Sequence, residues 1–285
     1  MIFWIASYPK SGNTWLRALI SSYYYSNDGV FNQDLLKRID QFPTKHYFKE
    51  FDYNQKVPSD TCKFWIKAQE KINANIKELK FFKTHNIFGK VANYDFTDRQ
   101  NSIGCIYVVR DPRNVLTSLK NHYQMKDFEA LKWMTNEKQF IYDDRNIEKE
   151  GYSSFQFISS WEINYRSWMT QKEVPFKIVR YEDLLKETYL VSKGIIEFIN
   201  KTLNVNKMVN RNKLKNSVQS TSFNKLKSLE KKSGFSEAVI SKKTNDKIPF
   251  FFLGPKNDWK NILDERTINE INVEFNKEMK ELGYL

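Results

Sequence analysis

The chain opens Ile2-Phe3-Trp4-Ile5-Ala6-Ser7-Tyr8-Pro9-Lys10-Ser11-Gly12-Asn13-Thr14-Trp15-Leu16. The apolar run Ile2 to Ala6 reads as a strand buried on both faces. Tyr8 to Gly12 breaks it. Asn13 and Thr14 are capping residue types, and Trp15, Leu16, Leu19 and Ile20 make one apolar helical face. The first twenty residues are therefore strand, tight loop, helix.

The pattern recurs. Phe81 to Thr84 is a short strand ending at His85. Ile103 to Val109 is a strongly apolar strand ending at Arg110, followed by Asp111-Pro112 and a helix to about His122. Phe176 to Val179 is another strand, before Arg180-Tyr181 and a helix from about Glu182. Strands alternating with helices predict an α/β fold, with a central parallel sheet and helices on both faces. Ile158, Trp161, Tyr165 and Trp168 predict one face of a long helix, and Ile268, Ile271, Phe275, Met279 and Leu282 a last amphipathic helix.

At 285 residues the chain is near the upper limit for one core, so one domain over 1–285 is expected. Insertions fall near 23–60 and 123–153, and the Lys- and Ser-rich stretch 224–247 reads as part of a mobile cap loop near 224–256. There is no internal repeat.

Composition narrows the function. With 40% hydrophobic and 15% aromatic residues, global disorder is excluded. Cys62 and Cys105 cannot make a disulfide framework, and His46, His85 and His122 leave little for a zinc site. No apolar run is long enough to span a membrane, and Ile2 to Ala6 is too short for a signal peptide, so a cytoplasmic protein is expected. The net charge of +12 fits an anionic partner or a Lys-rich surface. Only 10 of the 46 basic residues are Arg, which argues against a nucleic-acid partner. No two of the nine glycines lie closer than fifteen positions, which excludes G-x-G-x-x-G and the Walker spacing.

Four polar clusters carry chemistry, three of them at predicted strand ends, where open α/β sheets bind ligands. Lys10-Ser11-Gly12-Asn13-Thr14 turns into a helix N-terminus that can face an anion; alone it is equally an ordinary turn with a surface lysine. In Lys83-Thr84-His85 the histidine can take a proton, and Lys83 on the same strand face would keep it neutral; a structural histidine reads the same way. Arg110, with Ser118 eight residues on, can hold a phosphate, although Arg110-Asp111 is also an unremarkable ion pair. The fourth, Gly254 to Lys260, is in isolation a turn entering a helix.

Taken together and in order, these clusters resemble the sulfotransferases that use 3′-phosphoadenosine 5′-phosphosulfate (PAPS). YPKSGNTW from Tyr8 is similar to the family's 5′-phosphosulfate loop, and YVVRDPRNVLTS to its 3′-phosphate segment. Lys83-Thr84-His85, Tyr181-Glu182-Asp183 and Thr221-Ser222-Phe223 match further family triplets, and GPKNDWK matches its last motif in part. The resemblance implies a P-loop-like sheet and in-line sulfuryl transfer from PAPS to an acceptor hydroxyl or, less readily, an amine. It implies that Lys10, Ser11, Gly12, Asn13 and Thr14 hold the 5′-phosphosulfate, and that Trp15, Tyr181 and Phe223 line the adenine site with Thr221 nearby. Arg110 and Ser118 would bind the 3′-phosphate. His85 would be the base, with Lys83 and Lys10 near the transferring group, and no metal is required. The product would be adenosine 3′,5′-bisphosphate (PAP).

Two departures matter. Where the family has Arg-Lys-Gly this chain has Phe252-Leu253-Gly254, so Lys256 is expected to replace the lost basic contacts, or failing it Lys242, Lys243 or Lys247. Asn257 replaces a usual Gly. The family's dimerisation motif is not matched, and the oligomeric state stays open. The acceptor, whether small molecule, glycan or lipid, would bind among residues 23–60, 86–95 and 123–153, whose Tyr23, Tyr24, Tyr25, Phe48, Phe51, Tyr53, Phe88, Tyr94 and Trp133 suit an apolar alcohol or simply a core. A nucleotide-dependent phosphotransferase and a non-catalytic polyanion-binding protein are the other readings.

Overall fold

A computed structural model describes residues 1–75, 79–241 and 244–285. In chain order the elements are β1 (Ile2–Ser7), α1 (Asn13–Tyr25), β2 (Asp40–Gln41), α2 (Trp65–Ala74), β3 (Lys80–Thr84), the antiparallel pair β4 (Lys90–Val91) and β5 (Tyr94–Asp95), β6 (Ser102–Val109), α3 (Pro112–Tyr123) and α4 (Asp127–Thr135). There follow β7 (Phe140–Ile141), α5 (Ile147–Glu150), β8 (Gln156–Phe157), α6 (Trp161–Thr170), β9 (Phe176–Arg180), α7 (Tyr181–Lys186), α8 (Thr188–Thr202), α9 (Arg211–Ser220), α10 (Phe223–Ser233), the pair β10 (Val239–Ile240) and β11 (Lys247–Ile248), α11 (Glu265–Glu274) and α12 (Asn276–Glu281).

The central sheet is five-stranded and parallel, in the order β2-β3-β1-β6-β9. Its side chains alternate between two cores, which is why the strands read as unbroken apolar runs. Trp4, Ala6, Phe82, Cys105 and Tyr107 pack against α2, α3 and α6 on one face. Phe3, Ile5, Phe81, Ile106 and Val108 pack against α1, α8 and α9 on the other. β3 lies on one side of β1 and β6 on the other. The connections therefore diverge at the C-terminal end of β1, which opens a crevice there.

Three expectations need correction. The stretch 224–247 is not a loop throughout: α10 covers its first part, because Phe223, Leu226 and Leu229 recur at helical spacing and pack on Ala18, Phe31, Leu36 and Phe251. The helix expected from Ile158 begins at Trp161, where Ser160 accepts a hydrogen bond from Ile163 N and caps it. The C-terminal helix is two, broken at Phe275, although Ile271, Phe275, Met279 and Leu282 all stay buried. Among the described residues, no helix is long and apolar enough to cross a membrane.

Candidate active site

The loop from β1 to α1 turns through two left-handed residues, Lys10 (φ 66°) and Gly12 (φ 102°). A Cβ at Gly12 would lie 2.5 Å from Tyr181 Cδ2, so only glycine fits between the loop and that ring. Asn13 and Thr14 do not cap α1, contrary to expectation. Asn13 Nδ2 instead donates to Ile5 O at 3.0 Å and to Ser7 Oγ at 3.2 Å, and Thr14 Oγ1 donates to Glu237 Oε2 at 2.6 Å. The loop is pinned from β6. Tyr107 OH accepts from Tyr8 N at 3.1 Å, and Arg110 Nη1 donates to Lys10 O at 3.0 Å.

His85 follows β3 directly and is 8% exposed. Its Nδ1 lies 2.6 Å from Ser7 O. A carbonyl only accepts, so Nδ1 carries the proton and Nε2 keeps its lone pair. Burial, and then the neighbouring Lys83, lower its pKa to about 3. The main chain is held as firmly: His85 N donates to Gln156 Oε1 at 2.7 Å, and Asn164 Nδ2 donates to His85 O at 2.9 Å. Asn164 Oδ1 in turn accepts from Tyr107 OH at 2.6 Å, so one buried network orients both the histidine and the β1–α1 loop.

Arg110 and Ser118 meet as their spacing implied, with Arg110 Nη1 donating to Ser118 Oγ at 3.1 Å. The guanidinium stacks 4.3 Å over the Tyr181 ring, and its buried Nε has no partner. Asn257 reaches the same place. Its Nδ2 is 3.3 Å from Ser118 Oγ, and its Oδ1 accepts from Thr117 Oγ1 at 2.8 Å.

These groups line one cavity of about 630 Å³. Lys10, Gly12, Asn13, Thr14, Trp15, Lys83, His85, Arg110, Ser118, Tyr181, Phe223 and Gly254 all border it. Trp15 and Tyr181 meet edge to face, 5.6 Å between centroids. Three expected residues do not border it. Ser11 is buried with an unpartnered hydroxyl, and Thr221 turns its hydroxyl to Ser217 O at 2.7 Å. Lys256 is exposed and lines no part of the cavity, because Asn257 rather than Lys256 faces Ser118. Lys247 borders a separate groove, and Lys242 and Lys243 lie outside the described residues. None of the nine aromatic residues expected for an acceptor pocket borders the cavity either. Phe48, for example, is fully buried in the sheet's first core, and Tyr94 is exposed elsewhere.

The cavity collects charge that no local pattern announced. Burial lowers the Lys10 pKa to about 7, with Glu237 pulling upward and Arg110 and Lys83 pushing further down; its Nζ sits 4.3 Å over the Phe250 ring. His122, one turn beyond Ser118 on α3, is held near 3, by burial and then by Lys10. Glu237 lies among Thr14, Arg17 and Lys83. Sequence reading missed Arg17, His122, Asn164, Glu237 and the part played by Asn257. Only Arg17, on the first helix of the anion loop, sat where a signal could have been sought.

A family model described as the sulfotransferase domain matches residues 2–283, and the chain belongs to that family. Among curated relatives, a flavonol 3-sulfotransferase of Flaveria bidentis is 24% identical over 294 residues, covering 98% of this chain and 82% of the relative. A luciferin sulfotransferase of Photinus pyralis is 26% identical over 209 residues, covering 72% of this chain and 52% of its own length. Two solved structures share the fold at a TM-score of 0.56: a retinol dehydratase in complex with androsterone and the inactive cofactor PAP, 15% identical, and a mouse sulfotransferase complexed with PAP, 19% identical. Each covers 98% of this chain, which spans 80% and 84% of theirs respectively.

Proposed function

We propose that this sulfotransferase moves a sulfuryl group from PAPS to an acceptor hydroxyl, with His85 as general base. One observation carries the reading: the Ser7 carbonyl fixes the proton on His85 Nδ1, leaving a neutral Nε2 in the cavity that also holds Lys10, Lys83 and Arg110. The residues fit the donor. Arg110, which borders the cavity, has a buried Nε without a partner among the described residues, and the left-handed Gly12 lets the loop pass against the Tyr181 ring, where a Cβ would lie 2.5 Å from Cδ2.

Arg110, Ser118 and Asn257 would hold the 3′-phosphate, Trp15, Tyr181 and Phe223 the adenine, and the Lys10–Thr14 loop the 5′ end. PAPS supplies the sulfuryl group and leaves as PAP. His85 Nε2 removes the acceptor's proton, a role typically contributing ~10²–10⁴-fold. Lys10, Lys83 and the N-terminus of α1 supply positive field where negative charge develops. Gln41, Asn121, His122 and Tyr142 line the same cavity with polar side chains. An apolar acceptor would strand these groups, so a polar, hydroxyl-bearing acceptor fits better than an apolar alcohol.

The test is His85→Ala, assayed in EDTA with radiolabelled PAPS against hydroxyl acceptors from naphthol to methyl glycosides. Transfer falls at least ~10²-fold while PAP affinity stays within about threefold, because the base touches the acceptor and not the nucleotide. Equal loss of both would make His85 structural. Strict dependence on Mg²⁺ would favour the phosphotransferase reading.

A further inference from the structure

Glu237 is an acidic group in a cavity otherwise rich in cations. It stands between α10 and β10, on a segment that borders the cavity through Glu237 and Val239. Its Oε1 lies 2.5 Å from Arg17 Nη1 and 3.7 Å from Lys83 Nζ, and its Oε2 accepts from Thr14 Oγ1. Burial would raise its pKa, but Lys83 and Arg17, with hydrogen bonds from Thr14 and Arg17, hold it well below the usual carboxylate range. It is therefore an anion at every working pH.

Lys83 depends on that anion. The charged and titratable groups facing it are Arg17 from α1, Lys10 from the β1–α1 loop, His85 beyond its own strand, His122 from α3, Arg145 after β7, and Glu237. Glu237 is the one carboxylate paired with Lys83 among the described residues. Lys83 is only 13% exposed, so solvent compensates its charge poorly. Burial and Arg17 push its proton off; Glu237 pulls the other way.

We propose that Glu237 is a positioning residue: its carboxylate fastens the segment between α10 and β10 to α1 and β3 and keeps Lys83 charged and aimed into the cavity. This rests on the reading that Lys83 acts on the transferring group. The same carboxylate opposes an incoming anion, so its service to Lys83 comes at some cost in nucleotide affinity.

The experiment compares wild type, Glu237→Gln and Glu237→Asp. Lys83 reactivity toward acetic anhydride, read by mass spectrometry across pH without nucleotide, reports its proton directly. In Glu237→Gln the apparent Lys83 pKa drops by at least about one unit, and Glu237→Asp recovers most of the drop. Turnover of Glu237→Gln falls about tenfold at pH 8 and far less at pH 6, while PAP binds as tightly as to wild type or tighter. An unchanged Lys83 titration overturns the proposal. So does parallel loss of PAP affinity and turnover with an unshifted pH profile, the mark of a structural pin. Faster turnover in Glu237→Gln would instead make Glu237 a plug. A wild type that binds no PAP would sink the sulfuryl-transfer reading, while the labelling would still decide the role of Glu237.

Discussion

At pH 8 most of the Lys10 in the free cavity has lost its proton, because burial drags its pKa to about 7 and Arg110 and Lys83 reinforce that against Glu237. A bound phosphate would reverse this balance, since a nearby anion favours the charged ammonium. PAP binding at pH 8 should therefore take up close to one proton. Calorimetry in two buffers of unlike ionisation heat measures it. Lys10→Met should bind PAP more weakly and without the uptake, whereas a buffer-independent heat in wild type would mean Lys10 is already charged. Lys10 and His85 were legible in the sequence because each abuts a strand end, where side chain and backbone are fixed by the sheet. His122 and Glu237 were not. Their partners lie far along the chain, as with the 223 positions that separate Thr14 from Glu237, and no period marks such a pair.

The strand–loop–helix units were equally legible, because alternation of apolar runs with helical spacing is set by burial on two faces of one sheet. The segment after α10 was not, since its position depends on tertiary hydrogen bonds: Glu230 accepts from Phe250 N and Phe251 N at 2.7 and 2.9 Å. These contacts fix the approach to Gly254 and bring Asn257 over α3. Under the proposed function the place of the missing basic pair falls to this amide and not to Lys256, which lines no part of the cavity. Arg110→Ala should weaken PAP at least ~10-fold, as expected for a charged hydrogen bond, and Asn257→Ala by roughly 3–10-fold for a neutral one. Lys256→Ala should leave it within about twofold. Adenosine 5′-phosphosulfate, which lacks the 3′-phosphate, should respond little to any of the three. Titrations of both nucleotides against the three variants test the order, and a Lys256 effect matching that of Arg110 would return the lysine to the site.

The whole molecule carries +12, and part of that charge converges on a cavity lined by Lys10, Lys83, Arg110 and Arg145, with Arg17 paired to Glu237 at its edge. Two histidines in the same place are kept neutral at a stability cost that depends on pH. An unfolded histidine titrates near ~6.5, whereas folded His85 and His122 titrate near 3. Between these values the unfolded chain binds protons that the folded one refuses. Stability from this source is thus complete above ~6.5 and is lost as pH falls toward 3, by up to ~1.4 kcal/mol per pH unit for buried His85 and less for the more open His122. Acidification also raises the overall positive charge, which destabilises any variant alike. A comparison separates the two effects. His85→Gln should be less stable than wild type at pH 8, because the Ser7 bond is lost. The gap should then narrow by up to ~1 kcal/mol per unit from pH 6.5 to 5, since the variant no longer excludes that proton. Urea unfolding of both proteins across this range provides the measurement. Parallel curves would mean that His85 takes up its proton while folded, and that the neutral base proposed for sulfuryl transfer is not maintained by the fold.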